Sequence, residues 1–216
     1  MVLILNIGVL ACTRATDLQA VIDAIDAGKL KSRISVVISD KKDAYALERA
    51  RMHGIGMVFI DPKSKDIISI ADKDKKREAF DRKVAAGLEK RKVGLILAIG
   101  YMRILSPWFV NKYKNKIMNI HPSLLPDFAG GMDKNVYEEV LKAGVKETGC
   151  TLHFIDERVD NGPIIMQKKV KIEKNETADS LKEKVQKAEQ EVIVKALELY
   201  ERGRISVKGN KVVVSQ

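Results

Sequence analysis

Apolar residues recur along this chain in two periods, and the switches between them outline the fold. Leu3–Ala11 is a short, nearly unbroken apolar run, as in a buried strand, and Asp17–Ala27 follows with Leu18, Val21, Ile22 and Ile25 at helical spacing. Ile34–Ser39 predicts a second strand, Asp43 is placed to cap a helix reaching Met52, and Gly56–Ile60 predicts a short third strand. Lys73–Arg91 reads as a long charged helix with Phe80, Val84 and Leu88 on one face. Val93–Ile99 is continuously apolar, the pattern of a central parallel strand covered on both sides. Such alternation predicts an α/β fold whose N-terminal half is Rossmann-like, with a mostly parallel central sheet.

The second half predicts mixed strands. Ile117–Ile120 leads into a loop, and Asn135–Lys142 predicts a short helix. Cys150–Asp156 alternates as a strand, Asp160-Asn161-Gly162-Pro163 forms a tight turn, and Ile164–Ile172 returns. Thr177 or Asp179 caps a helix to Tyr200 with an apolar stripe of Leu181, Val185, Ala188, Val192 and Leu199. Ile205–Val207 and Val212–Val214 flank Lys208–Lys211 as a terminal hairpin. No Pro-, Gly- or Ser-rich linker divides the chain, which predicts a single domain over residues 1–216.

Composition narrows the function. The longest apolar runs, Val2–Ile7 and Val93–Ile99, are too short to cross a bilayer, and no basic leader precedes the first strand. Two cysteines, Cys12 and Cys150, make neither a disulfide framework nor a metal-ligand spacing, so a reducing cytoplasm and no metal are expected. The net charge of +10 invites a nucleic-acid reading. Against it, the lysines interleave with acids, as over Lys171–Lys187, and aromatics supply only 5% of the chain, leaving few stacking platforms. An anionic small substrate accounts for the charge equally well.

The chemistry concentrates in Asn119-Ile120-His121-Pro122-Ser123-Leu124-Leu125-Pro126. Residues i and i+2 of an extended segment share a face, so Asn119 and His121 project side by side, and Pro122 ends any ladder just beyond them. A neutral donor beside a titratable ring suits a reaction that builds negative charge on oxygen while moving a proton. His153 lies on an alternating strand, where a structural role and a chemical one both remain open. His53, before Gly54, reads as solvated.

With these segments in view the chain resembles the folate-dependent formyltransferases, most closely those acting on glycinamide ribonucleotide. The likeness rests on Leu47–Ala50, Tyr101-Met102-Arg103-Ile104-Leu105-Ser106-Pro107, Asn119–Pro126, Thr148–Phe154 and Val159-Asp160-Asn161-Gly162-Pro163-Ile164-Ile165. It implies a formyltransferase fold, a nucleotide-binding half over 1–110 and a catalytic, folate-binding half over 111–216. It also implies transfer of a formyl group from 10-formyltetrahydrofolate, as co-substrate, to the ribonucleotide amine in purine biosynthesis. The family's catalytic trio maps onto Asn119, His121 and Asp160, with Asp160 holding a protonated His121. Folate falls to Met102, Arg103, Ile104 and Leu105, and to Ile155, Asp156, Glu157 and Val159. The phosphorylated ribose falls to Thr13, Arg14, Ala15, Thr16 and Asp17, with Arg77, Gln186 and Glu189. A homodimer is left open.

Two departures lie on the acceptor side. The family's usual Gly-x-Gly-Ser-Asn-Leu is replaced by Thr13-Arg14-Ala15-Thr16-Asp17-Leu18, which has no glycine and adds a carboxylate. Gly130-Gly131-Met132-Asp133-Lys134 stands where Gly-Leu-His is more usual. The alternatives are a sugar-amine N-formyltransferase, a formyltetrahydrofolate hydrolase, and a non-catalytic nucleotide- or RNA-binding protein. Retention of Asn119, His121 and Asp160 together argues against the last.

Overall fold

The computed structural model describes residues 4–130 and 134–215. Leu3, at the expected start of the first strand, and Gly131–Asp133, inside the second acceptor-side departure, lie outside the described residues. The chain is α/β and divides into two compact units, Met1–Gln19 with Lys31–Ile117, and Ala20–Leu30 with Met118–Gln216.

The first unit alternates strand and helix. In chain order its elements are β1 (Asn6–Leu10), the first turn of α1 (Thr16–Asp26), β2 (Arg33–Ser39), α2 (Tyr45–Met52), β3 (Met57–Phe59), α3 (Lys65–Ile68), α4 (Lys73–Lys90), β4 (Leu95–Ala98) and α5 (Pro107–Lys112). The strands lie in the order β3-β2-β1-β4, all parallel, with Val9 opposite both Val37 and Leu97. Parallel neighbours require helical crossovers, and strands covered on both faces must be apolar throughout; all four residues of β4 are buried accordingly. This topology brings the loops after β1 and β4 out at strand carboxyl ends, where α/β folds place their ligands.

The second unit is antiparallel. β5 (Ile117–His121) pairs with β6 (Glu147–Phe154), and β6 with β7 (Ile164–Lys171); α6 (Lys134–Lys142) lies between β5 and β6 in the chain. The register sets Asn119 opposite His153 and His121 opposite Thr151, which in turn faces Gln167. α7 (Ala178–Glu201) buries the whole expected stripe. Thr177 caps it, accepting the Ser180 N–H at 3.2 Å while the Ser180 hydroxyl accepts the Thr177 N–H at 3.1 Å. β8 (Ile205–Lys208) and β9 (Lys211–Val214) form the expected hairpin.

Three local differences from the sequence reading have physical causes. α2 begins after Ala44, which has no side chain able to cap, so Asp43 stands one residue too early. β6 starts at Glu147, ahead of Cys150, because Gly149 lets the neighbouring strand close in; a Cβ there would overlap the Lys168 carbonyl. α5 follows Ser106-Pro107, a serine cap with proline at the first helical position, a start signal left unused. Among the described residues no helix is long and apolar enough to cross a membrane.

Candidate active site

Asn119, His121 and Asp160 converge within the second unit. The first two share one face of β5, as their spacing predicts. Asp160 comes from the turn between β6 and β7, where its backbone takes the left-handed φ of +52°. That conformation costs an L-residue roughly 1 kcal/mol, and aspartate tolerates it better than most. The turn can fold this tightly because residue 162 is glycine: a Cβ there would overlap the Phe154 carbonyl oxygen at the end of β6. Asp160 Oδ2 thus lies 3.2 Å from His121 Nδ1 and accepts the Gly130 N–H at 2.9 Å.

The other nitrogen of His121, Nε2, is 3.1 Å from the Phe128 carbonyl oxygen. Both ring nitrogens therefore face acceptors. A neutral ring has one N–H to offer them, whereas an imidazolium has two. Burial nevertheless holds His121 below its ordinary pKa of 6.5, outweighing the Asp160 carboxylate and the Phe128 carbonyl, which pull it up. The residue is only 3% exposed. For Asp160, burial works upward, but the His121 ring and the Gly130 N–H overturn it, and the carboxyl ends below its usual 3.8. At neutral pH the pair is neutral imidazole and carboxylate. Burial thus opposes the protonated His121 that the resemblance implies, while Asp160 and the Phe128 carbonyl favour it.

His153 completes the cluster. Its Nδ1 sits 2.9 Å from the Phe154 carbonyl oxygen, which fixes the proton there and leaves Nε2 to accept from Asn119 Nδ2 at 3.1 Å. One hydrogen of the Asn119 amide is thereby held and the other is directed elsewhere. His153 Nε2 is also 3.6 Å from Asp160 Oδ1; with its lone pair already used, this is a close approach rather than a hydrogen bond.

The loop after His121 is held by one buried hydroxyl. Thr151 Oγ1 donates to the Ser123 carbonyl at 2.7 Å and accepts from the Leu125 N–H at 2.9 Å and from Gln167 Nε2 at 2.8 Å. The sequence reading gave no role to Thr151, although it lies in the Thr148–Phe154 motif, and did not single out Gln167; their strand register pairs the two. Downstream, Asp156 Oδ1 accepts the Arg158 N–H and its Oδ2 accepts from Asn161, bracing the segment. Ile155 and Asp156 are half-buried there, and Glu157 and Val159 exposed. Gln186 and Glu189 stand one turn apart on α7, half-buried and buried.

In the first unit, Thr13–Asp17 forms the loop from β1 into α1. Thr13 and Thr16 are half-buried, Arg14 exposed, and Ala15 buried with φ +47°. Asp17 is turned inward and 5% exposed. A second cation, Arg49 of α2, given no role in the sequence reading although it lies in the Leu47–Ala50 motif, reaches this loop: Nη2 lies 3.5 Å from the Arg14 carbonyl oxygen, and Nη1 donates to Gln19. Arg77 pairs with Asp74 at 3.5 Å on α4. His53 is exposed, as expected, beside Gln19.

The segment between β4 and α5 is fixed at several points yet exposes part of itself. The Met102 N–H bonds to Cys12 Sγ at 3.2 Å, and Arg103 lies over the Phe80 ring at 3.9 Å. Met102 and Ile104 are 38% and 57% exposed, while Leu105 is buried. Exposed apolar side chains on a pinned backbone fit a planar heterocycle. Among the described residues no group of three His, Cys, Asp or Glu side chains is set to hold a metal ion.

The fold and this cluster of amide, imidazole and carboxylate describe an α/β enzyme able to move a proton beside a developing oxyanion. The chain belongs to the formyl transferase family, which it matches over residues 5–197. It is 34% identical to the phosphoribosylglycinamide formyltransferase of Escherichia coli, covering 95% of this chain and 92% of that one. It is 41% identical to the trifunctional purine biosynthetic protein adenosine-3 of Chironomus tentans, over 93% of this chain but only 14% of that much longer protein. Among solved structures it is similar to glycinamide ribonucleotide transformylase 1 of Symbiobacterium toebii, with a TM-score of 0.89, 36% identity, and coverage of 99% of this chain and 95% of that one.

Proposed function

We propose that this formyltransferase moves the formyl group of 10-formyltetrahydrofolate to the amine of glycinamide ribonucleotide, a step of purine biosynthesis. The convergence of Asn119, His121 and Asp160 carries the reading, in a chain aligned end to end with a phosphoribosylglycinamide formyltransferase. In this reading Met102–Leu105 presents backbone groups to the folate heterocycle. Thr13–Asp17, the start of α1 and Arg49 receive the phosphate. The inward turn of Asp17 removes its carboxylate from the face offered to an anion, and Arg49 adds a cation where the family's glycines are missing.

The amine nitrogen bonds to the formyl carbon and the carbonyl oxygen becomes an oxyanion. The free hydrogen of the Asn119 amide is the donor to that oxygen, preorganised because His153 holds the other. As the new C–N bond forms, the amine must release one proton. The His121–Asp160 pair holds one proton fewer than its hydrogen-bonding geometry can use, since two acceptors face a ring carrying a single N–H. The pair takes up that proton, with Asp160 stabilising the imidazolium, and returns it to the leaving nitrogen as the old C–N bond breaks. The products are the formamide and tetrahydrofolate, and no net proton is gained or lost.

The test is purified protein with 10-formyltetrahydrofolate, with glycinamide ribonucleotide present or omitted, following folate absorbance. Absorbance should change only when the ribonucleotide is present. A change without it would show a hydrolase, and a change only with another amine, such as an amino sugar nucleotide, would show a different acceptor.

A further inference from the structure

α4 buries Phe80, Asp81, Val84, Ala85 and Leu88. One of these is a carboxylate with no solvent exposure at all, in a stripe where a leucine would pack without desolvating a charge. Asp81 Oδ2 accepts the backbone N–H of Ser106 at 2.6 Å, a short, charge-assisted bond, while Oδ1 has no partner among the described residues. Burial pushes the Asp81 carboxyl up and the Ser106 hydrogen bonds pull it back. Ser106 in turn caps α5, its hydroxyl accepting the Phe109 N–H at 3.3 Å. The remaining restraints on this segment act further back along it. Met102 N–H is held by Cys12 Sγ, and Arg103 is held over Phe80 with Nη1 3.5 Å from Asp40 Oδ2. Between the restraints lies the exposed Ile104.

We propose that Asp81 is a positioning residue for the formyl donor: by fixing Ser106 it sets the backbone of Arg103–Leu105 in the conformation that receives the folate ring. The proposal rests on the assignment of that segment to folate made above. Asp81 touches no substrate; its charge also reaches Arg77, on the acceptor side, but only through space, so its main effect falls on the donor side. Losing a buried charge-assisted bond leaves Ser106 N–H unpaired and the segment free to relax, and small displacements of a binding backbone cost affinity steeply.

The experiment measures KM for each substrate, kcat and Tm in Asp81→Asn, Asp81→Ala and Ile104→Ala. Asp81→Ala should raise the KM for 10-formyltetrahydrofolate by about tenfold or more, with the ribonucleotide KM within about twofold of wild type. Asp81→Asn keeps an acceptor oxygen and should raise the folate KM only about two- to fivefold. Should the alanine variant fail to fold, the asparagine variant decides, through the ratio of its two KM values. An unchanged ratio, or both constants rising together as Tm falls, would reduce Asp81 to a structural residue and overturn the proposal. Ile104→Ala separates the two assignments. If it weakens folate binding while the Asp81 variants do not, the segment holds folate without help from Asp81. If none of the three variants does, the segment is not the donor site and the positioning role goes with it.

Discussion

Replacing Asp17 with asparagine should stabilise this protein, by an amount that grows with pH. The side chain is 5% exposed, and Oδ1 has no hydrogen-bond partner among the described residues. Burial pushes the carboxyl from 3.8 up to about 7, opposed only by a hydrogen bond from its own backbone. The unfolded chain ionises this group near its ordinary value, whereas the folded chain keeps the proton until about 7. Between those values the unfolded state binds fewer protons, so stability falls as pH rises. At about 1.36 kcal/mol for each tenfold in the ionisation constant, the wild type carries a penalty of roughly 2 kcal/mol at pH 5 and roughly 4 kcal/mol at pH 8. Its place in the first turn of α1 favours the carboxylate by about 0.3–1 kcal/mol, so these figures are upper bounds. Asparagine has nearly the same shape and does not ionise, and any packing or unpaired-oxygen effect it has is common to both pH values. The change in the gap, roughly 2–3 kcal/mol, corresponds to about 4–12 °C in Tm for a domain of this size. Thermal unfolding of both proteins from pH 5 to pH 8 at constant ionic strength measures it. A Tm gap that stays constant within about 2 °C across that range would refute the reasoning.

His121→Ala and Asn119→Ala should each lower kcat by about 100-fold or more while changing folate binding little, since both act on the transition state; a variant retaining a tenth of wild-type kcat, or more, would remove its residue from the mechanism. Activity should fall as pH drops through the His121 pKa, which lies below 6.5. Asp160→Asn removes the charge that holds it up, so the ring's NMR titration should move to still lower pH as kcat collapses; an unmoved titration would mean the pair is uncoupled. Arg49→Ala and Arg14→Ala should each raise the ribonucleotide KM, by about tenfold for a charge-assisted contact, with the folate constant steady; a ribonucleotide KM within about twofold of wild type in both variants would mean the helix end and threonines suffice.

What the sequence made legible was whatever repeats at short range. Asn119 and His121 lie two residues apart on a strand, so their shared face follows from the pleat alone, and the α7 stripe follows from helical spacing. Asp160 was legible through its motif, but the closure of its turn depends on a carbonyl eight residues before Gly162. His153 stayed ambiguous because its task is set by β-sheet register, which brings residues 34 apart face to face. Arg49 stood inside a legible motif, but its task was hidden because it reaches a carbonyl 35 residues away. Asp81 was hidden differently. On a helix as charged as α4, one more acid reads as part of the solvated face, and only the packing shows it turned inward. The charge of His121 could not be read at all, because a neighbouring carboxylate and burial oppose each other and only geometry gives their relative weight.

The crowding at Gly162 reaches into the genetics of this protein. Any side chain there must push the turn away from the end of β6, and Asp160 would be carried off with it. In a library of random variants scored by growth without purines, position 162 should be as intolerant as position 160, though it bears no functional group. Exposed Arg158, two residues before Asp160, should accept most replacements. A survey that weighed positions by what they could touch would rank these two the wrong way round.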